Sequence, residues 1–370
     1  MDGVLFGLVA IVLFIVVLGG IVLIHELGHY LTAKALKVRV LEFGIGFPPR
    51  AKVLRRRGET LWTLNWLPIG GFVRLEGEDG EAADDPRSFA AKSLRARLAI
   101  LVAGVGMNIA LAFAIFFLIA LLATPMLGVK VGLVERADER GRPDSPAALA
   151  GLVAGDEIYA VNGQQFDLFG GQTVQGALRA HAGETVQLGV RRADGVTVTV
   201  TATLRLKGEL SETRGALGVG DLEQTYRYIG HDIGTSAGIA GNELTRWGGL
   251  ILSGLVQLVD GIIKDPTAAP PASGPIGIAV SLADIFLNVG PIVTLYVAGI
   301  LSVNLGVVNI LPFPPLDGGR GAVLIIKRLF GARVSLRAER LTYAVGFVFL
   351  IAFILWISGF DIARLGGGSP

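Results

Sequence analysis

Two histidines and a glutamate in the stretch HELGH have the spacing of a metal site. His25, Glu26 and His29 follow the pattern H-E-x-x-H. On a helix, residues four apart share one face, so both imidazoles can reach one ion. Glu26 lies about 100° round the helix from His25, where its carboxylate can contact a water molecule without ligating the metal. The spacing therefore predicts a zinc site with a base beside it.

A catalytic zinc site takes three protein ligands and keeps one position open, so a third ligand must come from elsewhere. The chain has no cysteine, which leaves His, Asp and Glu as ligands. The other two histidines, His181 and His231, lie in a long outer segment. NILPFPPLDGG, residues 309–319, places Asp317 beside a Gly-Gly pair after an apolar segment. Asp317 is the predicted third ligand.

The surroundings of HELGH indicate a membrane protein. The chain has 370 residues, of which 52% are hydrophobic and only 17% are charged, and its mean hydropathy is +0.60. A helix needs about 20 mostly apolar residues to span a bilayer. Four segments are predicted to span, the last of them polar on one face or broken near its end: residues 4–24, 98–124, 341–358 and 290–312.

Two alternatives bear on this interpretation. A cleaved signal peptide is the alternative for the first segment, but its leader MDG has no basic residue and no small-residue cleavage pattern follows it. The formal net charge of +2 gives no argument for nucleic-acid binding, so no nucleic-acid partner is expected.

Lysine and arginine in the short loops predict the orientation. Residues 34–97 and 320–340 are rich in both, so these loops are predicted to be cytoplasmic. With four spans, both termini and the long segment 125–289 then lie outside. The first span and the 290–312 span run in the same direction, which brings HELGH and Asp317 to the same side of the membrane.

Part of the long outer segment has the pattern of a small α+β module. An apolar strand, VGLVE, is followed by a turn-rich insert and then by SPAALAGLVAGDEIYAVNG and two alternating strands. This stretch of sequence resembles PDZ domains of bacterial proteases, which bind an extended peptide as an added strand. The resemblance implies a peptide groove at Val131, Gly132 and Leu133; the alternative is a PDZ fold that gates sterically without binding peptide.

Residues 233–264, which follow this module, have apolar residues at helical spacing but many polar ones. They are predicted to form an amphipathic helix on the outer surface or packed on the PDZ module. PPASGPIGI, residues 270–278, then interrupts the chain before the third span.

Several motifs together resemble one family. HELGH in the first span, NILPFPPLDGG in a later one, the basic insert with LPIGGFVRLEGE and the single PDZ-like module resemble the bacterial site-2 protease family of intramembrane zinc metalloproteases, of the regulator-of-sigma-E type. The chain departs from the best-known members, which carry two tandem PDZ modules. The resemblance implies a multi-pass protein of the bacterial cytoplasmic (inner) membrane.

The resemblance also implies roles for individual residues. His25, His29 and Asp317 would ligate Zn²⁺, and Glu26 would be the general base. Asn309 and Asn304 would face the same cavity and bind substrate, although membrane asparagines also form interhelical hydrogen bonds. Substrates would be single-span membrane proteins, such as anti-sigma factors already shortened by another protease, or remnant signal peptides. Membrane lipid and a peptide or periplasmic ligand at the PDZ module are the other expected partners.

A substrate helix must unwind before cleavage, because its peptide bonds are closed off in helical hydrogen bonds. In the family, the loop that corresponds to the basic insert dips into the membrane. Gly70, Gly71, Phe72 and Val73 are therefore predicted to present an edge strand to the unwound substrate; the alternative is a hairpin packed only for stability.

The predicted fold class is a polytopic α-helical membrane protein of about four transmembrane helices, with a membrane-associated β-hairpin region and an inserted α+β PDZ domain. A metal transporter and a non-catalytic PDZ scaffold are the alternative functions. The predicted boundaries are 1–33 first transmembrane helix, 34–97 cytoplasmic insert, 98–124 second transmembrane helix, 125–208 PDZ domain, 209–289 extracytoplasmic linker, 290–319 third transmembrane segment, 320–340 cytoplasmic loop, and 341–370 fourth transmembrane helix and tail.

Overall fold

The structure is a computed structural model that describes residues 3–78, 82, 84–135, 145–211, 214–265, 268–270, 272–330 and 336–366. The chain forms two compact units. The first comprises residues 1–116 with 244–370, and the second comprises residues 117–243. The predicted turn-rich insert around residues 136–144, part of the predicted cytoplasmic loop (331–335) and the last tail residues lie outside the described residues.

The helices of the described residues are α1 Gly3–Ala35, α2 Leu94–Leu122, α3 Pro146–Leu149, α4 Val174–Ala180, α5 Ile233–Lys264, α6 Pro275–Asn288, α7 Pro291–Asn309, α8 Asp317–Phe330 and α9 Leu336–Leu365. Four of them, α1, α2, α7 and α9, coincide with the four predicted spans and are long and apolar enough to cross a membrane.

Helix α5 meets the same standard of length and composition, which gives five candidate spans in the described residues. The sequence predicts a surface helix at this place. The helix itself is confirmed, whereas its placement on the membrane surface and the count of about four spans stay predictions.

Helix α6 is a short apolar helix that the sequence analysis did not predict. Its first N–H groups are capped from a distant part of the chain: Asp361 in α9 is buried, and its carboxylate accepts hydrogen bonds from the N–H of Gly274 at 3.1 Å and of Gly277 at 2.8 Å. A carboxylate at a helix N-terminus satisfies N–H groups that have no partner inside the helix. This cap comes from a residue more than 80 positions away, whereas Pro275 at the first helical position is a local start signal that the sequence analysis did not use.

The basic insert of the first unit folds as a sheet of two long strands, β1 Val40–Arg57 and β2 Thr60–Leu75. Both strands bend, so residues 42–45 lie between two parts of β2: residues 61–64 on one side and 71–74 on the other. The far parts, residues 47–67, form a hairpin that closes between Arg57 and Thr60. We call Gly71–Leu75 the edge segment, because among the described residues it pairs with residues 40–45 alone.

A buried apolar cluster fixes the edge segment against the helices. Leu75 and Val40 pack together with Ala33 of α1, Ile100 of α2 and Leu324 of α8. Burying apolar side chains in this way stabilises the packing of the elements by about 25 cal/mol per Å² of apolar area removed from water. The cluster therefore fixes where the edge segment enters the neighbourhood of HELGH.

The second unit contains one antiparallel sheet with the strand order β7-β6-β4-β5-β3-β8. Its strands are β3 Thr124–Val134, β4 Glu157–Val161, β5 Gln164–Asp167, β6 Thr185–Arg191, β7 Thr197–Thr203 and β8 Val219–Ile229. The short helices begin at side-chain caps: Ser145 accepts from the N–H of Ala148 and Thr173 from that of Gly176. This α+β architecture agrees with the predicted module, whose assignment as a PDZ domain stays a prediction.

Another strand of the chain occupies one edge of the predicted peptide groove. Val131, Gly132 and Leu133 lie in β3, which pairs with β4 and β5 on one side and with β8 along its whole length on the other. Val131 is opposite Leu222, and Leu133 is opposite Gly220. The prediction that a peptide adds at these three residues is therefore wrong for this structure, because β8 of the same chain already occupies that edge.

Candidate metal centre

Helix α1 places the two histidines of HELGH side by side and out of solvent. His25 is 4% exposed and His29 is 8% exposed, and their Nε2 atoms lie 3.1 Å apart. The four-residue spacing stacks the side chains on one face of the helix. The two nitrogen atoms are therefore aimed at one point.

Asp317 completes the group from the opposite wall. It is the first residue of α8 and follows the turn after α7, so the two elements that flank NILPFPPLDGG set its position. Its Oδ2 lies 3.0 Å from Nε2 of His25 and 3.2 Å from Nε2 of His29. The three predicted ligands thus converge, although Asp317 is 292 positions away from His25 in the sequence.

The convergence fits zinc. A tetrahedral ion with bonds of 2.0–2.1 Å holds its ligand atoms about 3.3 Å apart. The three edges of the triangle formed by the two Nε2 atoms and Oδ2 measure 3.0, 3.1 and 3.2 Å. Within the part of the chain that the structure describes, this is the group of His, Asp and Glu residues that can hold a metal ion. Two imidazoles and one carboxylate also form a donor set that zinc enzymes use.

Buried hydrogen bonds orient both imidazoles. Nδ1 of His29 lies 2.8 Å from the carbonyl oxygen of Ile100 and donates to it, which leaves Nε2 with a lone pair for a metal. Nδ1 of His25 lies 3.2 Å from Nδ2 of Asn108, a fully buried residue of α2 whose Oδ1 has no partner among the described residues. Turning the amide of Asn108 by 180° exchanges its nitrogen and oxygen without changing its outline. In that orientation Oδ1 of Asn108 accepts a hydrogen bond from Nδ1–H of His25. The sequence analysis missed Asn108, since a lone polar residue in an apolar span does not reveal its partner.

Gly104 makes room for the ligands. A Cβ atom at this position would stand 2.6 Å from Nε2 of His29 and 2.7 Å from Nε2 of His25, which is closer than van der Waals contact allows. Gly104 and Asn108 are one helical turn apart on α2, so one face of this helix both admits and orients the imidazoles. No signal in a single sequence separates this glycine from the others in apolar segments.

Glu26 lines the same cavity as the three predicted ligands. The cavity has a volume of about 390 Å³ and is also lined by Gly71, Phe72 and Val73 of the insert. A Cβ at Gly71 would be 3.5 Å from Cγ of Glu26. The edge segment therefore passes directly beside the predicted base. Gly70, at φ +80°, lies at the preceding bend against the ring of Phe47 and is not among the residues that line the cavity.

The two predicted amides have different surroundings. Asn309, the last residue of α7, lines the cavity, and its Nδ2 lies 3.4 Å from Nε2 of His25. Asn304 lines a separate cavity between α5 and α7. Five residues on a helix amount to about 500°, so Asn304 points to a face roughly 140° away from that of Asn309. The prediction that Asn304 faces the same cavity is wrong.

Comparisons with known proteins agree over nearly the whole chain. The profile of Peptidase family M50 matches residues 13–353. A zinc metalloprotease RasP of Geobacillus kaustophilus is 29% identical and aligns with 96% of this chain and 98% of its own length. A putative zinc metalloprotease of Clostridium acetobutylicum is 28% identical over 95% of this chain and 97% of its own. The regulator of sigma-W protease RasP of Bacillus subtilis is 26% identical over 96% and 98%.

Proposed function

The chain belongs to peptidase family M50, and we propose that it is an intramembrane zinc metalloprotease of the site-2 type that cleaves single-span membrane proteins. The observation that carries the proposal is the convergence of His25, His29 and Asp317 on one point, in a cavity that also holds Glu26. A transport site needs ligands for the ion but no base beside it, so Glu26 favours hydrolysis.

His25, His29 and Asp317 are the residues that would hold zinc. When zinc is bound, the chemistry it supplies is that of a Lewis acid, which polarises a carbonyl group and makes water a stronger nucleophile near neutral pH. The chain's part is to fix the geometry: Ile100 and Asn108 hold the outer nitrogens of the imidazoles, so that both Nε2 atoms face the centre.

Glu26 is proposed as the general base and acid. Its carboxylate would take a proton from the attacking water and later give a proton to the leaving amine nitrogen. Its position on the ligand helix, next to His25, keeps it within the cavity without making it a fourth ligand. The walls of the cavity are mostly apolar, which strengthens electrostatic interactions among the reacting groups.

Asn309 and the edge segment are proposed to bind the substrate. The amide of Asn309 faces the centre and can donate a hydrogen bond to the carbonyl oxygen that becomes an oxyanion. An unwound substrate needs partners for its backbone, and the edge segment offers a strand that, among the described residues, is paired on one side only. Pairing there would place a substrate peptide bond beside Glu26, because Gly71 is next to Glu26.

Family membership alone does not give the substrates, the role of the sheet unit or the orientation in the membrane, and we propose these separately. A relative is named as a regulator of sigma-W protease, and we infer substrates of the same kind, namely membrane-anchored regulators or remnant signal peptides. We also propose that the sheet unit, residues 117–243, is an extracytoplasmic PDZ domain that gates access, that both termini are extracytoplasmic, and that the membrane is the bacterial inner membrane. The transmembrane and loop boundaries predicted from the sequence are part of this proposal.

Metal analysis and cleavage by purified protein test the proposal together. Wild type is expected to bind zinc stoichiometrically and to cut a purified single-span substrate. Asp317→Ala and His25→Ala should lose both, since each removes one of three ligands. Asn304→Ala is the matched control and should retain both, because its side chain lines a different cavity. A wild type that binds no zinc, or an Asp317→Ala variant with full zinc and activity, would contradict the proposal.

A further inference from the structure

Three consecutive arginines lie exposed at the closed end of the hairpin of residues 47–67. Arg55, Arg56 and Arg57 pair by backbone with Trp62, Leu61 and Thr60, and all side chains from residue 47 to 59 are exposed. Among the described residues none of the three arginines has a carboxylate partner. Their three positive charges are therefore not compensated by ion pairs within the described residues.

The carboxylates nearest this end are already engaged. Glu42 accepts two hydrogen bonds of 2.7 Å from Arg50, and Glu59 pairs with Arg87 and with Arg39. Three arginines of the insert, Arg39, Arg50 and Arg87, are thus paired with carboxylates. The three arginines at the closed end have no such pair among the described residues, so their guanidinium groups are available to an anionic group from outside the chain.

The opposite end of the hairpin is apolar and exposed. Phe47, which pairs with Leu67, is 47% exposed, Leu67 is 54% exposed and Trp66 is 71% exposed. Large apolar side chains grouped on a surface indicate contact with an apolar phase. In a protein with membrane-spanning helices, that phase is the hydrocarbon of the bilayer.

The two ends lie at different depths along α1. Ile45, next to the apolar end, pairs with Gly71, which lies beside Glu26. At the arginine end, Oγ1 of Thr60 donates to the carbonyl of Val40 at 2.9 Å, just after α1 ends at Ala35. Nine helical residues from Glu26 to Ala35 correspond to roughly 13 Å. The hairpin thus runs from the depth of the metal centre to the end of the first helix.

We propose that Arg55, Arg56 and Arg57 bind the phosphate groups of anionic phospholipids at the membrane surface. Guanidinium groups form paired hydrogen bonds with phosphate oxygens, and basic residues beside a membrane are attracted to anionic lipid. Because residues 42–45 join the hairpin to the edge segment in one sheet, this contact anchors the strand beside Glu26. That last consequence rests on the proposed function, whereas the lipid contact does not.

Energy transfer from the hairpin to labelled lipids tests the contact without any substrate. The chain has no cysteine, so Leu54→Cys, exposed beside Arg55, carries a single donor dye. The full chain is placed in phosphatidylcholine nanodiscs with a trace of acceptor-labelled phosphatidylglycerol or acceptor-labelled phosphatidylcholine. Labelled phosphatidylglycerol should be enriched near the dye, by up to about fivefold for each arginine that engages a headgroup, and added salt should reduce the enrichment.

Matched variants identify the arginines as the cause. Replacing all three by glutamine should abolish the preference, while replacing all three by lysine should keep most of it. Arg179→Gln, Lys207→Gln and Arg214→Gln together remove three exposed charges in the other unit and should leave it unchanged. Zinc content checks that each variant is folded. Equal transfer to both lipids in the parent, or a preference that survives the glutamine triple, would overturn the proposal. A third result would also overturn it: the parent shows no lipid preference, and the glutamine triple loses affinity for an acidic substrate segment in phosphatidylcholine alone.

Discussion

Gly104 is the residue on which the shape of the metal centre depends most directly. Its missing side chain leaves the space in which the imidazoles of His25 and His29 approach Asp317. Zinc ligands tolerate little displacement, because bond lengths near 2.0 Å and tetrahedral angles must both be kept. A methyl group added at Gly104 would therefore collide with the imidazoles of His25 and His29 themselves.

We expect Gly104→Ala to weaken zinc binding by more than about tenfold, which is the lower range for disturbing the supports of a zinc ligand. The measurement is a zinc titration with a competing chelator. Gly106→Ala is the matched control on the same helix, since nothing lies within 4 Å of a Cβ there, and it should bind zinc like wild type. Equal affinity in both variants would show that the space at Gly104 is not needed.

The three residues that converge could be predicted from the sequence, whereas the residues that support them could not. H-E-x-x-H carries its geometry in its spacing, and Asp317 stands out beside the Gly-Gly pair. Asn108 and Gly104 act through contacts with a helix about 80 positions away, and a single sequence contains no record of such contacts. The prediction for Asn304 is wrong because about 140° of helical rotation separates its side chain from that of Asn309.

At the scale of elements, the edge segment connects the insert to the chemistry. It is paired on one side with residues 40–45 and lines the cavity through Gly71, Phe72 and Val73. The sequence predicted strand-like pieces with glycine turns here. It did not predict that residues 42–45 lie between two parts of β2, because strand order depends on long-range pairing.

Proline substitution separates a substrate-binding strand from a merely structural one. Neighbouring N–H groups of a strand point to opposite edges, so of Phe72→Pro and Val73→Pro only one removes an outward N–H. That variant should lower cleavage by roughly tenfold, the upper range for one lost hydrogen bond, while zinc content and thermal stability are kept. The other variant breaks pairing with residues 40–45 and should lower stability. If both variants fold and cleave like wild type, the edge segment does not bind substrate.

At the scale of the whole molecule, an inserted sheet divides a helical unit in two. The sequence correctly indicated an α+β module in the outer segment, since its strands alternate and its turns carry glycine. It placed the end of the module near residue 208, whereas β8 at Val219–Ile229 also belongs to the sheet. Strand β8 joins through pairing with β3, and such a distant pairing is not visible in local pattern.

The place of β8 in the sheet decides which residues a deletion that tests gating should remove. Removing residues 128–206 would leave β8 without its partner, so residues 126–228 should be removed together and replaced by a short Gly/Ser linker. If the sheet unit selects substrates by size, the deletion variant should cleave full-length and shortened forms of a substrate at similar rates, whereas wild type prefers the shortened form. Retained zinc content is the control. An unchanged preference in the deletion variant would rule out size selection by this unit.

The central claim is that Glu26 acts on a metal centre held by other residues, and one comparison tests it most directly. Purified wild type and Glu26→Gln are assayed together for zinc content and for cleavage of a single-span membrane substrate. Glutamine keeps the size of the side chain but cannot accept the proton, so cleavage should fall by about 10²–10⁴-fold while zinc content stays at the wild-type value. Cleavage by Glu26→Gln at the wild-type rate, with zinc bound, would contradict the account.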